Sequence, residues 1–281
     1  MKKILTILSV LALAVLAACG SNNGGNSEGG SGEEGDSKKI VVGASNVPHA
    51  EILEEAKPML EEKGVELEIK TFQDYILPNK TLANGELDAN YFQTIPYMEL
   101  QMEENENYDF VNAGGIHIEP IGVYSQDYSS LEDLPDGAQI IMSNSVSDHG
   151  RMLSLLEAQG LIKLKEGVKP SDATVEDIAE NPKNIEFKTD VEASLLPQIY
   201  QQGEGDAVMI NTNYAIDAGL NPQEDAIALE DADSPYVNVI TVNKGDEDNE
   251  AIQALVEVLH SEEIQTFIEE EYDGAVVPVD E

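Results

Sequence analysis

Apolar positions along this chain follow two spacings in alternation, one that fits strands and one that fits helices. IVVGAS (40–45) is a short apolar run of the kind a buried strand carries. Residues 50–63 then place Ile52, Leu53, Ala56, Met59 and Leu60 at helical spacing, which predicts an amphipathic helix. VELEIKTF (65–72) alternates with a period of two and reads as a strand. Residues 78–84 read as a short helix before Gly85, and ANYFQTIPYMELQM (89–102) runs from a strand end into another helix. GIHIEPIGVYS (115–125) is a strand pair broken at Pro120, and AQIIMS (138–143) is a buried strand. Residues 150–160 read as a helix with leucines on one face and a glycine stop. NIEFKTD (184–190), GDAVMI (205–210), AIALED (226–231) and NVITVN (238–243) supply further strands. Residues 250–272 predict one long closing helix with a break near Ser261. Such alternation argues α/β layers with largely parallel sheets. No internal repeat is visible.

The first nineteen residues, MKKILTILSVLALAVLAAC, are of another kind. A basic start at Lys2 and Lys3, an apolar core over 4–16 and small residues before Cys19 make a secretory signal peptide. The core is too short for an ordinary transmembrane helix. Leu16-Ala17-Ala18-Cys19 resembles a bacterial lipobox, in which Cys19 is diacylated and becomes the new N-terminus. Two acyl chains hold a protein at a membrane almost irreversibly. The tract that follows, GSNNGGNSEGGSGEEGDSK (20–38), offers nothing to a core and reads as a flexible tether. The expected organisation is a signal peptide at 1–18, a lipidated tether at 19–38 and a soluble body from 39 onward, with no later stretch approaching a membrane span.

Charge narrows the partners. The chain has 55 acidic against 15 basic residues, a formal net charge of −40. A polyphosphate would meet repulsion everywhere, so nucleic acid is excluded as a partner. NKGDEDNE (243–250) lacks the glutamate spacing of a calcium loop, and the acids read as a solvated surface, as a saline or alkaline exterior would tolerate. The four histidines, His49, His117, His149 and His260, have no metal-site spacing. No nucleophile elbow, Walker or dinucleotide motif occurs, and the Asp148-His149 pair beside Arg151 lacks a nucleophile. The expectation is a protein without cofactor, metal or catalysis. An adhesive or structural surface lipoprotein is the alternative.

Several blocks together resemble the NlpA/MetQ family, the methionine-binding lipoproteins of bacterial ABC importers. They are DANYFQTIPYMELQ (88–101), EPIGVYSQDYSSLEDLPDGAQI (119–140), GRMLSLLEAQGLIKLKEG (150–167), ENPKNIEF (180–187), INTNYAIDAGLNP (210–222), SPYVNVI (234–240) and YDGAVVP (272–278). The resemblance spans essentially 39–281. It implies a two-lobed periplasmic-binding-protein fold (type II-like), with lobe I at 39–124 plus 236–281 and lobe II at 125–235. Two crossover strands join the lobes, and hinges near 124–125 and 235–238 close them on a ligand. It further implies a monomer, tethered to the outer face of the cell membrane, that delivers methionine to an ABC permease with its cytoplasmic ATPase.

An amino-acid site needs a partner for the carboxylate, acceptors for the ammonium and a pocket for the side chain. Arg151 has the fork for a carboxylate, although in so acidic a chain it serves equally well as a structural ion-pair partner. Asn211 and Asn238 sit at strand ends, where asparagine is otherwise a turn former. The resemblance assigns Arg151, Asn211 and Asn238 to the ligand, with Asn144 beside them. It places Tyr75, Phe92 and Tyr97 in an aromatic cage, in a chain with only five phenylalanines and no tryptophan. Two departures stand out. Thr94 replaces a histidine common in the family, which opens the preference to methionine derivatives, dipeptides or another hydrophobic amino acid, and leaves L- against D-methionine open. Asp148 replaces an asparagine, and reads as a cap for a helix starting near Gly150 in preference to an ammonium partner.

Overall fold

The computed structural model describes residues 38–232 and 234–279. Cys19, the signal peptide and nearly all of the tether lie outside them. Among the described residues no helix is long and apolar enough to cross a membrane.

The chain opens with β1 (Lys38–Ser45), α1 (Glu51–Glu62), β2 (Val65–Phe72), α2 (Leu77–Ala83), β3 (Ala89–Thr94), α3 (Ile95–Glu104) and β4 (Phe110–Ile118). It continues with β5 (Gly122–Tyr124), β6 (Gln139–Ser143), α4 (Val146–Ala158), the short pair β7 (Lys163–Leu164) and β8 (Ile178–Glu180), and β9 (Glu186–Val191). Then follow α5 (Leu196–Gln201), β10 (Ala207–Ile210), α6 (Thr212–Asp217), α7 (Pro222–Asp225) and β11 (Ala228–Leu229). The last elements are β12 (Val237–Asn243), α8 (Glu250–Leu259), α9 (Glu262–Tyr272) and β13 (Val277–Pro278).

These strands make two main sheets. One is six-stranded, in the order β13-β4-β12-β3-β1-β2; the other is five-stranded, in the order β11-β5-β10-β6-β9. Helices cover both sheets on both faces, as their nearly continuous apolar strands require. In the first, Ile40, Val42 and Ala44 of β1 and Ile240 and Val242 of β12 pack against α1, α8 and α9 through Leu53, Leu60, Leu255 and Ile268. Leu82, Leu87, Met98 and Phe110 form a smaller cluster that takes in α2 and α3. In the second, Ile140 and Met142 of β6 join Met152, Leu153 and Leu156 of α4, while Ile141 joins Leu196 and Ala215. Alternate residues of one strand thus serve two layers.

Three differences from the sequence reading, and one expected break, have local causes. The sheets are mixed, because β12 returns to the first sheet antiparallel to both β3 and β4, and β5 runs antiparallel to β10. Gly122–Tyr124, placed with the first lobe from sequence, pairs with β10 and β11 in the five-stranded sheet. The break expected near Ser261 divides the closing helix into α8 and α9, and Ser261 caps the second by accepting from the Ile264 N–H. Helix α4 begins at Val146, four residues before Gly150, although its first turn is rich in residues typical of loops.

Ile240 is fully buried between Tyr91 and Gly114 in the ladder. Ile240→Ala is expected to cost about 2–5 kcal/mol, a melting shift of roughly 4–20 °C. Exposed Glu61→Ala should change stability by less than about 0.5 kcal/mol. Calorimetry on both variants checks this; equal shifts would contradict the assigned core.

Candidate functional site

A cavity lies where strand ends and helix starts of both sheets converge. It holds about 400 Å³ of atom-free space, counting its open mouth. Open α/β sheets place ligand sites at such strand ends. From the first sheet come Tyr75 after β2, Phe92 and Thr94 at the end of β3, Tyr97 in the first turn of α3, Glu119 just past β4 and Asn238 on β12. From the second come Asp148 and Arg151 of α4, Asn211 after β10, and Thr212 and Asn213 opening α6.

The rings of Tyr75, Phe92 and Tyr97 stand 6.0 Å apart in all three pairs, forming a triangle. Tyr214 extends it, 5.0 Å from Tyr75. The hydroxyls are tied down: Tyr97 donates to the Tyr75 carbonyl at 2.9 Å, and Tyr75 donates to Asn213 Oδ1 at 2.6 Å. Burial pushes the phenols of Tyr75 and Tyr97 up, so both remain donors at neutral pH.

In the same cavity lining, Arg151 is 5% exposed, which makes every hydrogen bond of its guanidinium count. Its Nε donates to Glu230 Oε2 at 2.9 Å, and Nη2 reaches the same carboxylate and the Glu119 carbonyl, the latter at 2.5 Å. Glu230 is itself fixed by the Ile121 N–H and the Ser234 hydroxyl. The Tyr236 ring lies 4.7 Å from the guanidinium carbon, within cation–π range. Nη1 has Asp148 Oδ1 at 3.8 Å. Burial works against the charge, yet Glu230 and Asp148 outweigh it and raise the Arg151 pKa. This arginine is a cation at any working pH.

Asp148 does not cap α4. Ser145 occupies that position, and Asp148 is buried in the first turn, one turn before Arg151 on the same face. Its Oδ2 accepts from Asn211 Nδ2 at 3.1 Å. That bond fixes the Asn211 amide and leaves Asn211 Oδ1 buried with no partner among the described residues, a costly state unless something else donates to it. Glu119 lies beside them. Its pKa is raised by burial, against the pull of His49 and Arg151, and its Oε2 accepts from the Asn213 N–H at 3.0 Å.

Seven of the eight residues expected from sequence therefore line one cavity. Asn144 does not. β6 ends at Ser143, the Asn144 N–H turns to the Val191 carbonyl at 2.7 Å, and its exposed side chain borders a neighbouring groove with Val146. Residues missed from sequence are Glu119, Thr212, Asn213, Tyr214 and Glu230. An acid carries little signal in a chain with 55 of them, although Glu119 sits directly before Pro120, where the strand pair is interrupted.

Behind the cavity, fold and not spacing brings His49, His117 and Glu119 together. Their donor atoms lie within 4.8 Å of one another, as for a metal site. Glu119 Oε1, however, stands 2.8 Å from His117 Nε2 and 3.3 Å from His49 Nε2, hydrogen-bond distances that satisfy the three groups mutually. The set fits a proton network better than a cation.

Comparison with known proteins agrees with this geometry. The chain matches the NlpA lipoprotein family over residues 40–280. It is 54% identical over 283 residues to the methionine-binding lipoprotein MetQ of Bacillus subtilis (strain 168), covering 100% of both. A solved lipoprotein of the YaeC family from Enterococcus faecalis V583, a pheromone cOB1 precursor, is 52% identical with a TM-score of 0.84, over 86% of this chain and 100% of that one. A nutrient binding protein from Burkholderia cenocepacia, bound to methionine, is 41% identical with a TM-score of 0.81, over 86% of this chain and 100% of that one. With a two-lobed α/β fold and a match along nearly its whole described length, the chain belongs to the NlpA lipoprotein family.

Proposed function

We propose that this protein captures methionine between its lobes and hands it to an ABC permease. The observation that carries the reading is the pairing, across one small cavity, of an aromatic triangle with a buried arginine that keeps one nitrogen uncommitted to Glu230. The ligand carboxylate takes Arg151 Nη1 and the amide nitrogen of Asn238. The ammonium takes the orphaned Asn211 Oδ1 together with Asp148 and Glu119. The thioether lies among Tyr75, Phe92 and Tyr97, where sulfur–ring contacts contribute about 0.3–1.5 kcal/mol each. Thr94 completes the wall beside Asn238, and Asn144 is left at the rim.

No bond is made or broken in this reading. Lobe I carries the six-stranded sheet and lobe II the five-stranded one, with the crossings at 119–121 and 230–237. Contacts from both lobes are complete only when the cleft is shut, so ligand shifts the population toward the closed form. The relatives' description as lipoproteins supports diacylation of Cys19 and residence at the outer face of the membrane; the tethered body is read as a monomer.

Titration calorimetry on unfolded and refolded, ligand-free protein tests the reading. Methionine should bind well ahead of leucine. Arg151→Lys keeps the charge but loses the fork, and should weaken methionine by about 2–5 kcal/mol, roughly 30- to 5,000-fold. A folded Arg151→Lys with unchanged affinity would sink the assignment. Phe92→Leu should weaken methionine roughly two- to tenfold and norleucine less, because only methionine carries sulfur. Equal losses would remove the thioether from the cage.

A further inference from the structure

The cavity's polar wall rests on a layer of buried groups that contact no cavity space themselves. His49, in the segment after β1, is 1% exposed, and His117, on β4, is fully buried. Register sets Asn238 of β12 directly between Thr94 of β3 and His117 of β4, and His49 reaches the same amide from the segment after β1. His49 Nε2 lies 3.1 Å from Asn238 Oδ1 and 3.3 Å from Glu119 Oε1. The Glu119 carboxylate only accepts, so the proton sits on Nε2, and the Asn238 amide must then turn its oxygen toward it. His117 is fixed in the same sense. Tyr91 contacts its Nδ1 and, as a buried phenol, donates there, leaving Nε2–H to donate to Glu119 Oε1 at 2.8 Å.

The consequence falls on Asn238. An asparagine amide can turn over and present either its oxygen or its nitrogen, and the two ends recognise opposite chemistry. With Oδ1 held by His49, only Nδ2 is presented to the cavity, and a carboxylate is what an N–H recognises. We propose that His49 is a positioning residue whose Nε2–H, backed by His117 and Glu119, locks Asn238 as a donor and so sets the site's preference for a free carboxylate over a carboxamide. This rests on reading the cavity as an amino-acid site.

Neutrality of the two imidazoles is part of the device. Burial lowers the His49 pKa to about 4 against the pull of Glu119, and lowers that of His117 to about 3. The groups facing them are Glu119 past β4, Tyr91 from β3, Tyr272 from α9 by way of the Pro48 carbonyl, and Arg151 and Asp148 from α4 acting through Glu119. Arg151 offsets part of the carboxylate charge that would otherwise draw a second proton onto His49.

Two measurements test this. Long-range nitrogen–proton NMR of the histidine rings of the wild type, without ligand, should show His49 and His117 as neutral Nε2–H tautomers that do not titrate from pH 8 to pH 5.5. An Nδ1–H tautomer or an imidazolium at His49 at neutral pH would overturn the proposal, whatever the ligand. Calorimetry then compares methionine with methioninamide in wild type, His49→Gln and His49→Leu. Glutamine's amide nitrogen replaces the Nε2 donor, so His49→Gln should keep the preference for methionine within about twofold. Leucine frees the Asn238 amide, and the preference should fall about tenfold or more, as loss of a hydrogen bond to a charged group implies. Equal loss in both variants, or none in a folded His49→Leu, would overturn it. If wild type binds neither compound, the amino-acid reading of the cavity fails, and the tautomers still decide whether Asn238 is locked.

Discussion

A guanidinium group stripped of water is the constraint around which the site is organised. Removing such a cation from solvent costs several kcal/mol, which only well-placed partners offset. Arg151 obtains them from three directions: the Glu230 carboxylate, the Glu119 carbonyl and the Tyr236 ring. Each partner is held in turn, Glu230 by Ile121 and Ser234, and Glu119 by Asn213 and the two histidines. The result is a cation with one face satisfied by protein and one nitrogen beside the cavity. A surface arginine of the same sequence context would be mobile and hydrated, and worth far less to a ligand.

The architecture explains why these groups meet. The chain builds the first sheet, crosses to build the second, and returns with β12 to lie between β3 and β4. The crossing segments carry Glu119, Glu230 and Tyr236, so residues far apart in sequence share the junction between the sheets. Tyr75 donating to Asn213 and Glu119 accepting from the same residue's N–H tie the first sheet's side of the cavity to the start of α6. Both contacts join the two sides of the cavity.

Much of this was legible in the sequence, for reasons that differ by residue. Continuous apolar runs locate most of the strands because each sheet is covered on both faces, and helical spacing locates the helices that cover them. Arg151 stands out because cations are rare here, whereas Tyr75, Phe92 and Tyr97 would read as core residues and are picked out only by the family resemblance. Glu119 and Glu230 did not stand out, since burial separates them from the other acids and burial is a property of the fold. Asp148 reads as a cap because serine, aspartate and glycine usually mark loops, while here Ser147 and Asp148 lie in the first turn of α4 and Gly150 directly after it. His49 and His117 show no shared role in the sequence because they meet only through Glu119 in the fold and not by any spacing along the chain. Parallel sheets were expected because strands alternate with helices; the returning β12 breaks that rule.

The central claim is that one zwitterion lies with its sulfur among the rings and its carboxylate on Arg151 and Asn238. Crystals of the protein, with ordinary sulfur in its own methionines, grown with free selenomethionine, test it most directly through anomalous scattering. The account predicts a single selenium position enclosed by Tyr75, Phe92 and Tyr97, with ligand carboxylate density on Arg151 and Asn238. Selenium absent from the cavity, or found beside Arg151 with the carboxylate among the rings, would contradict it.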